Sequence, residues 1–163
     1  MYYALAQSLI QYGISGWGGM YDVHLKSLKT IQNSILKVIL KKPYLTSTSL
    51  IYKESGLLEV RKLYTKFILK YTHTNKNIFG SEINNSSTGI KTRNKVNNHL
   101  VTYKAKKKLT QRHGIFLGAK LYNLLPPNIC NESKLKLFTI LVKDWLLNIT
   151  IESINNEINN RKF

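Results

Sequence analysis

Three stretches of this chain repeat apolar residues at helical spacing, and each is long enough to demand a covering surface. Between Asp22 and about Lys42, Leu25, Leu28, Ile31, Gln32, Ile35, Val38 and Ile39 form one stripe, with Lys26, Lys29, Lys37 and Lys41 on the opposite side. From about Glu59 to Thr74, Val60, Leu63, Tyr64, Phe67, Ile68 and Tyr71 recur at i, i+3, i+4, i+7, i+8 and i+11. A third stripe, Leu135, Phe138, Leu141, Val142, Trp145 and Leu146, follows a capping Ser133 and runs to about Asn148. An isolated helix of this length is marginal in water, so its stability comes from burying the apolar face against a neighbour. Three such helices within 163 residues predict a mainly α fold, a small helical bundle with a C-terminal amphipathic helix.

Shorter elements fill the gaps between these stripes. Tyr2 to Tyr12 reads as a short apolar helix that Gly13, Gly16, Gly18 and Gly19 stop, with Asp22 suited to cap the next helix. Ser47 to Ser55 reads as a helix closed by Gly56, and Ile115 to Leu125 as one ended by Pro126 and Pro127. His99 to Tyr103 has the pattern of a short strand, and Asn75 to about Val96 is a long polar loop. The expected organisation is a helical bundle over 1–74, a basic polar linker over 75–114, a helical extension over 115–150 and a frayed tail over 151–163.

Charge sets the expected partner. The chain carries 25 Lys and Arg against 8 Asp and Glu, a formal net charge of +17, while 43% of its residues are hydrophobic. It therefore has material for a core and a strong attraction to polyanions. No acidic residue lies between Ile83 and Asn131, where Lys91, Arg93, Lys95, Lys104, Lys106, Lys107, Lys108, Arg112 and Lys120 fall. Lys62, Lys66 and Lys70 line the solvent side of the second stripe at four-residue spacing, where they repel one another unless an anion lies across them. The expected nucleic-acid contacts are Arg93, Lys104, Lys106, Lys107, Lys108, Arg112 and Lys120, together with Lys62, Lys66 and Lys70. Lysine is a point charge on a flexible stem, so such contacts would be sequence-independent.

Other chemistry finds little material. Cys130 is the single cysteine, which excludes an internal disulfide, and the four histidines show no metal-ligand spacing. The two aspartates, Asp22 and Asp144, stand at opposite ends, so no carboxylate cluster can hold catalytic metal ions. The Gly13–Gly19 run lacks the Lys-Ser/Thr ending of a phosphate loop, and position 21 is Tyr where a dinucleotide fingerprint needs Gly. It reads instead as a tight bend with Trp17 covering the joint. No cofactor and no metal are expected, and catalysis by this chain alone is not expected. Met1 to Tyr21 lacks the basic start of a signal peptide, and no window holds the ~18 apolar residues of a spanning helix. The expectation is an intracellular chain, nuclear or cytoplasmic, not secreted and without a membrane partner.

The strings Tyr2-Tyr3-Ala4-Leu5, Ser8-Leu9-Ile10, Tyr12-Gly13-Ile14 and Trp17-Gly18 are followed by Leu25, Leu28 and Gln32, then the Ile35 to Ile39 run. Leu50 to Glu54 precedes Leu57, Leu58 and Arg61, and Thr92-Arg93 opens the basic region. Lys120 to Pro126 leads to Ile129, Ser133, Phe138, Leu141 and Leu146. In this order the pieces resemble the C-terminal region, thumb and post-polymerase extension, of jockey-like non-LTR retrotransposon reverse transcriptases. The resemblance implies a helical module that holds a template–primer duplex, RNA or RNA–DNA hybrid, by its backbone. It further implies a catalytic palm carrying Tyr-x-Asp-Asp upstream of Met1, since this sequence has no Asp-Asp pair. A second expectation, of another class, is a helical protein-interaction module: without a palm, the Tyr2 to Trp17 face would expose apolar surface to a partner or a second copy.

Overall fold

A computed structural model describes residues 2–80, 100–102, 106–150, 152–154 and 156. Every element among the described residues is helical, so the fold is mainly α. The chain opens with a π-helical turn, Tyr3–Gln7, that passes directly into an α-helical turn, Ser8–Gln11; the two together are α1. Then come α2 (Ile14–Trp17), α3 (Asp22–Ile39), α4 (Thr48–Ser55), α5 (Val60–Thr74) and α6 (Lys76–Gly80). Past the undescribed residues follow α7 (Lys108–Gln111), α8 (Gly114–Tyr122), α9 (Pro127–Cys130) and α10 (Leu135–Asn148).

Helix α5 is the centre. Its Leu63, Tyr64, Ile68 and Leu69 share one core with Leu117 and Leu121 of α8 and with Phe138, Val142 and Leu146 of α10. Each such side chain contributes roughly 1.5–3 kcal/mol when fully buried. Ile10, Ile14 and Leu25 join that core from one end of the chain and Ile154 from the other, so segments 1–74 and 115–150 do not form separate cores. A smaller cluster of Tyr2, Ala6, Leu36, Ile51 and Leu57 lies among α1, α3 and α4.

Several local expectations shift. The buried side of α5 includes Arg61, Thr65 and Thr72, whereas Phe67 and Tyr71 are exposed, because α5 is covered from more than one direction. Thr65 tolerates this by donating its hydroxyl to the Arg61 carbonyl at 3.0 Å. Tyr21, not Asp22, is the cap residue of α3; the Asp22 carboxylate accepts from Arg61 at 2.6 Å instead. Lys134, not Ser133, precedes α10, and Glu132 accepts from its backbone N–H at 2.8 Å. Residues 100–102 are not a strand, yet the Asn123 amide does a strand neighbour's work on Leu100. It accepts from the Leu100 N–H and donates to the Leu100 carbonyl, both at 2.9 Å. The long polar loop begins with α6, and the rest of it, from residue 81 on, lies outside the described residues. In the tail, Glu152–Ile154 is helical and Ile154 is buried. Gly56 closes α4 as expected, at a φ of 60° that glycine reaches without strain.

Two polar side chains fasten the N-terminal half. Gln32, fully buried, donates from Nε2 to the Tyr2 hydroxyl (2.7 Å) and the Leu58 carbonyl (3.0 Å). Its Oε1 accepts from the Tyr52 hydroxyl (2.8 Å) and the Val60 N–H (3.1 Å). Arg61 donates to the Gly18 carbonyl at 3.0 Å and the Met20 carbonyl at 2.8 Å, binding the glycine bend to α5. The bend presses against α5 closely enough that a Cβ on Gly18 would lie 2.2 Å from Tyr64 Cδ2 and 2.6 Å from the Ile14 carbonyl oxygen.

That contact separates two neighbouring glycines. Gly18→Ala is expected to cost about 1–3 kcal/mol through overpacking. Gly16, whose Cβ would meet nothing within 4 Å, should accept Ala with no loss or a gain of up to about 1 kcal/mol. Urea midpoints of the two variants check this; equal effects would refute the close approach.

Candidate nucleic-acid interface and an uncovered apolar groove

The predicted basic contacts divide into three groups once the helices are placed. Arg93 and Lys104 lie outside the described residues, and for Lys108 only its place at the start of α7 is described. Arg112 and Lys62 serve the fold. The Arg112 guanidinium lies 4.2 Å from the Tyr21 ring centre and donates to the Met20 carbonyl at 3.3 Å, while its own carbonyl accepts from the Tyr64 hydroxyl at 2.9 Å. Burial and the nearby Arg61 charge hold the Arg112 pKa below its ordinary value, and burial pushes that of Tyr64 up to about 12. Lys62 donates to the Ile149 carbonyl at 2.7 Å, pinning the end of α10 onto α5, and burial lowers its pKa. It therefore faces a carbonyl where an external phosphate was expected.

Lys66, Lys70, Lys106, Lys107 and Lys120 form the third group. Lys70, Lys106 and Lys107 are exposed, and Lys120 is half-buried in the last turn of α8. Lys66 is half-buried, and burial holds its pKa below the usual lysine value. Repulsion from Lys143 and Lys70 depresses it further, with Asp144 pulling the other way. Lys143 belongs to α10 and had no signal in the sequence, because only the packing of α10 on α5 brings it beside Lys66.

Much of the acidic side is already engaged. Asp22 pairs with Arg61 (2.6 Å), Glu54 with Lys42 (3.0 Å) and Glu59 with Lys29. Cationic surface around these helices is thus left with little internal compensation, which is the electrostatic setting for a polyanion.

A different feature dominates the N-terminal half. Between α1 and α3 runs an open groove of about 740 Å³, lined by apolar side chains with Ser34 and Tyr2 as its polar members. Leu5 and Leu9 on α1 are 63% and 75% exposed, and Ile31 and Val38 on α3 are 56% and 78% exposed. The α3 stripe thus covers the core with Leu25, Gln32 and Leu36 and leaves its other half uncovered. Trp17 closes one side, its indole N–H donating to the Tyr12 carbonyl at 3.0 Å.

Elsewhere, His73 stacks on Phe138 at 3.7 Å between ring centres, and its Nδ1 lies 3.0 Å from the Tyr122 hydroxyl. Burial, then the Lys76 ammonium, holds its pKa below the usual histidine value. Lys76 in turn donates to the Cys130 carbonyl at 3.1 Å. Among the described residues no group of three or more His, Cys, Asp or Glu is placed to hold a metal ion. Among them too, no helix is long and apolar enough to cross a membrane. No protein-family model matches the chain, and no curated protein or solved structure matches it with significance.

The half-buried His73 gives a pH dependence with a definite sign. Its folded pKa lies below the unfolded value near 6.5, so the stability that neutral His73 contributes is present above about pH 6.5. As pH falls below that value, the unfolded chain takes up a proton that the folded chain refuses, and stability drops by at most about 1.4 kcal/mol per pH unit. Urea midpoints of the parent should fall more steeply between about pH 7 and pH 5 than those of His73→Gln. Parallel curves would show that folding leaves the His73 pKa unshifted and would overturn this prediction.

Proposed function

We propose that this chain is a non-catalytic nucleic-acid-holding module, resembling the C-terminal part of a retrotransposon RNA-directed DNA polymerase. In this reading it grips RNA or an RNA–DNA hybrid through the phosphate backbone, inside the cell, in nucleus or cytoplasm. The observation that carries it is the crowding of Lys66, Lys70 and Lys143 across two packed helices, with Asp144 as the opposing charge in their interaction. Like charges held together in this way are relieved by a phosphate backbone lying over them, which releases its own counterions on binding. Lys106 and Lys107, both exposed, add positive charge at the surface. A net charge of +17 supplies the long-range attraction.

Affinity for an RNA–DNA hybrid, measured by fluorescence anisotropy, should fall linearly with log salt concentration. Changing Lys66, Lys70 and Lys143 together to Gln should reduce that slope by about 2–3 units, since each lost phosphate contact removes about 0.9. An unchanged slope in the folded triple variant would place the contact elsewhere, and salt-insensitive binding would overturn the reading.

The groove between α1 and α3 favours a second reading, a helical protein-interaction module. Contiguous apolar surface of this kind marks an interaction site. Should the occupant be a second copy, sedimentation velocity will show mass rising with concentration, and Leu9→Gln will abolish the rise. A concentration-independent monomer would leave the groove to a different partner.

A further inference from the structure

We propose that the exposed face of α5 is a stacking platform for unpaired nucleotides, on which Phe67 and Tyr71 receive bases while Lys66 and Lys70 hold the phosphates beside them. The inference rests on the nucleic-acid reading above and narrows its ligand at this face to a single strand. On α5, Phe67 and Tyr71 stand at i and i+4 with Lys70 at i+3, so the three are neighbours on one helix face. Lys66 lies one turn before Lys70 on the same side. The apolar period assigns Phe67 and Tyr71 to the buried stripe, yet they are 40% and 42% exposed, while Ile68, Leu69 and Thr72 take the burial. Two aromatic rings and two ammonium groups thus share one stretch of open helix surface.

Interleaved rings and cations suit one kind of ligand. A ring stacks on a base, the neighbouring ammonium meets the adjoining phosphate, and the pairing tolerates any sequence because every base has a π-face. Four residues of helix set the two aromatic positions about 6 Å apart along the axis. Bases stacked in a strand rise only about 3.4 Å each, so consecutive bases reach both positions by separating from one another. A single strand can do this, whereas a duplex keeps its bases paired and offers the face phosphates alone. Lys143 of α10 adds a third cation beside Lys66, and Asp144 is the acidic group that opposes them. The same lysines disfavour an apolar protein partner. Covering Phe67 and Tyr71 with such a surface would bury Lys70 beside them without a counter-charge, a cost that a phosphate removes.

The test uses the full chain and fluorescein-labelled strands of about 12 nucleotides, within the usual site sizes, with binding read by anisotropy. The strands are oligo-dT, oligo-U and an abasic DNA that keeps the phosphates and lacks the bases. Oligo-dT and oligo-U are expected to bind at least about fivefold tighter than the abasic strand. Phe67→Leu and Tyr71→Leu keep an apolar side chain at an exposed position, so the fold should survive, as urea midpoints will check. Each should weaken oligo-dT binding at least about fivefold while leaving the abasic strand's affinity and the salt slope unchanged. Tyr71→Phe, which retains the ring, should bind as the parent does; a loss equal to that of Tyr71→Leu would assign the contact to the hydroxyl and overturn stacking there. Equal binding of oligo-dT and the abasic strand by the parent chain would overturn the platform and leave the backbone reading standing, and this comparison needs no variant. A base preference that both Leu variants retain would place the stacking elsewhere and overturn the inference. No binding of any strand at low salt would overturn both the platform and the reading it rests on.

Discussion

Arg61 is only 4% exposed, and its two terminal nitrogens donate to the carbonyls of Gly18 and Met20 and to the carboxylate of Asp22. Those three residues span the bend between α2 and α3, and Arg61 stands in the first turn of the central helix. One side chain therefore sets where the N-terminal helices meet α5. Its removal would leave the carbonyl of the buried Gly18 without this donor, a loss of about 1–3 kcal/mol for a buried polar group. Arg112 reinforces the same bend from the other half of the chain, reaching the Met20 carbonyl and stacking over Tyr21. Gly18 and Gly19 permit the approach, since a side chain on either would strike Tyr64 or the Arg112 backbone.

Gln32 plays the matching part on the far side of α3. A buried amide has two donors and two acceptor sites, and here all four are engaged, by Tyr2, Leu58, Tyr52 and Val60. The network orders α1, α3 and α4 around a small apolar cluster. It also commits one face of α3 to the interior, and that commitment leaves the Ile31–Val38 side of the stripe pointing into the groove. The apolar groove and the satisfied polar core are thus two results of one rotation of α3.

The helices were largely legible in the sequence, because periodicity is local. The stripes over α3, α5 and α10 lie where their spacing put them, and Gly56 ends α4 as glycine does, whereas α8 stops at Tyr122 and Pro126 and Pro127 open α9 instead of ending the helix before them. The face of α5 was less legible. Arg61, Thr65 and Thr72 read as surface residues by type, and each is buried because α5 is enclosed by several neighbours. The basic residues were legible as a charge and not as a site. Arg112 and Lys62 look like any other cation in the sequence, yet each is spent on backbone carbonyls, while Lys143 joins Lys66 through a helix contact far apart in the chain.

The sequence by itself determined a mainly α chain with a strong positive field, since helix period and net charge are sums over residues and need no knowledge of who packs on whom. Only the tertiary structure decided which cations remain at the surface and which half of the α3 stripe stays uncovered. Both depend on long-range pairings: Lys62 with Ile149, Arg61 with the bend, Gln32 with Tyr2 and Leu58. A buried polar group must find a partner wherever the chain can supply one, and that requirement, which no local pattern encodes, divides the lysines and turns the helix.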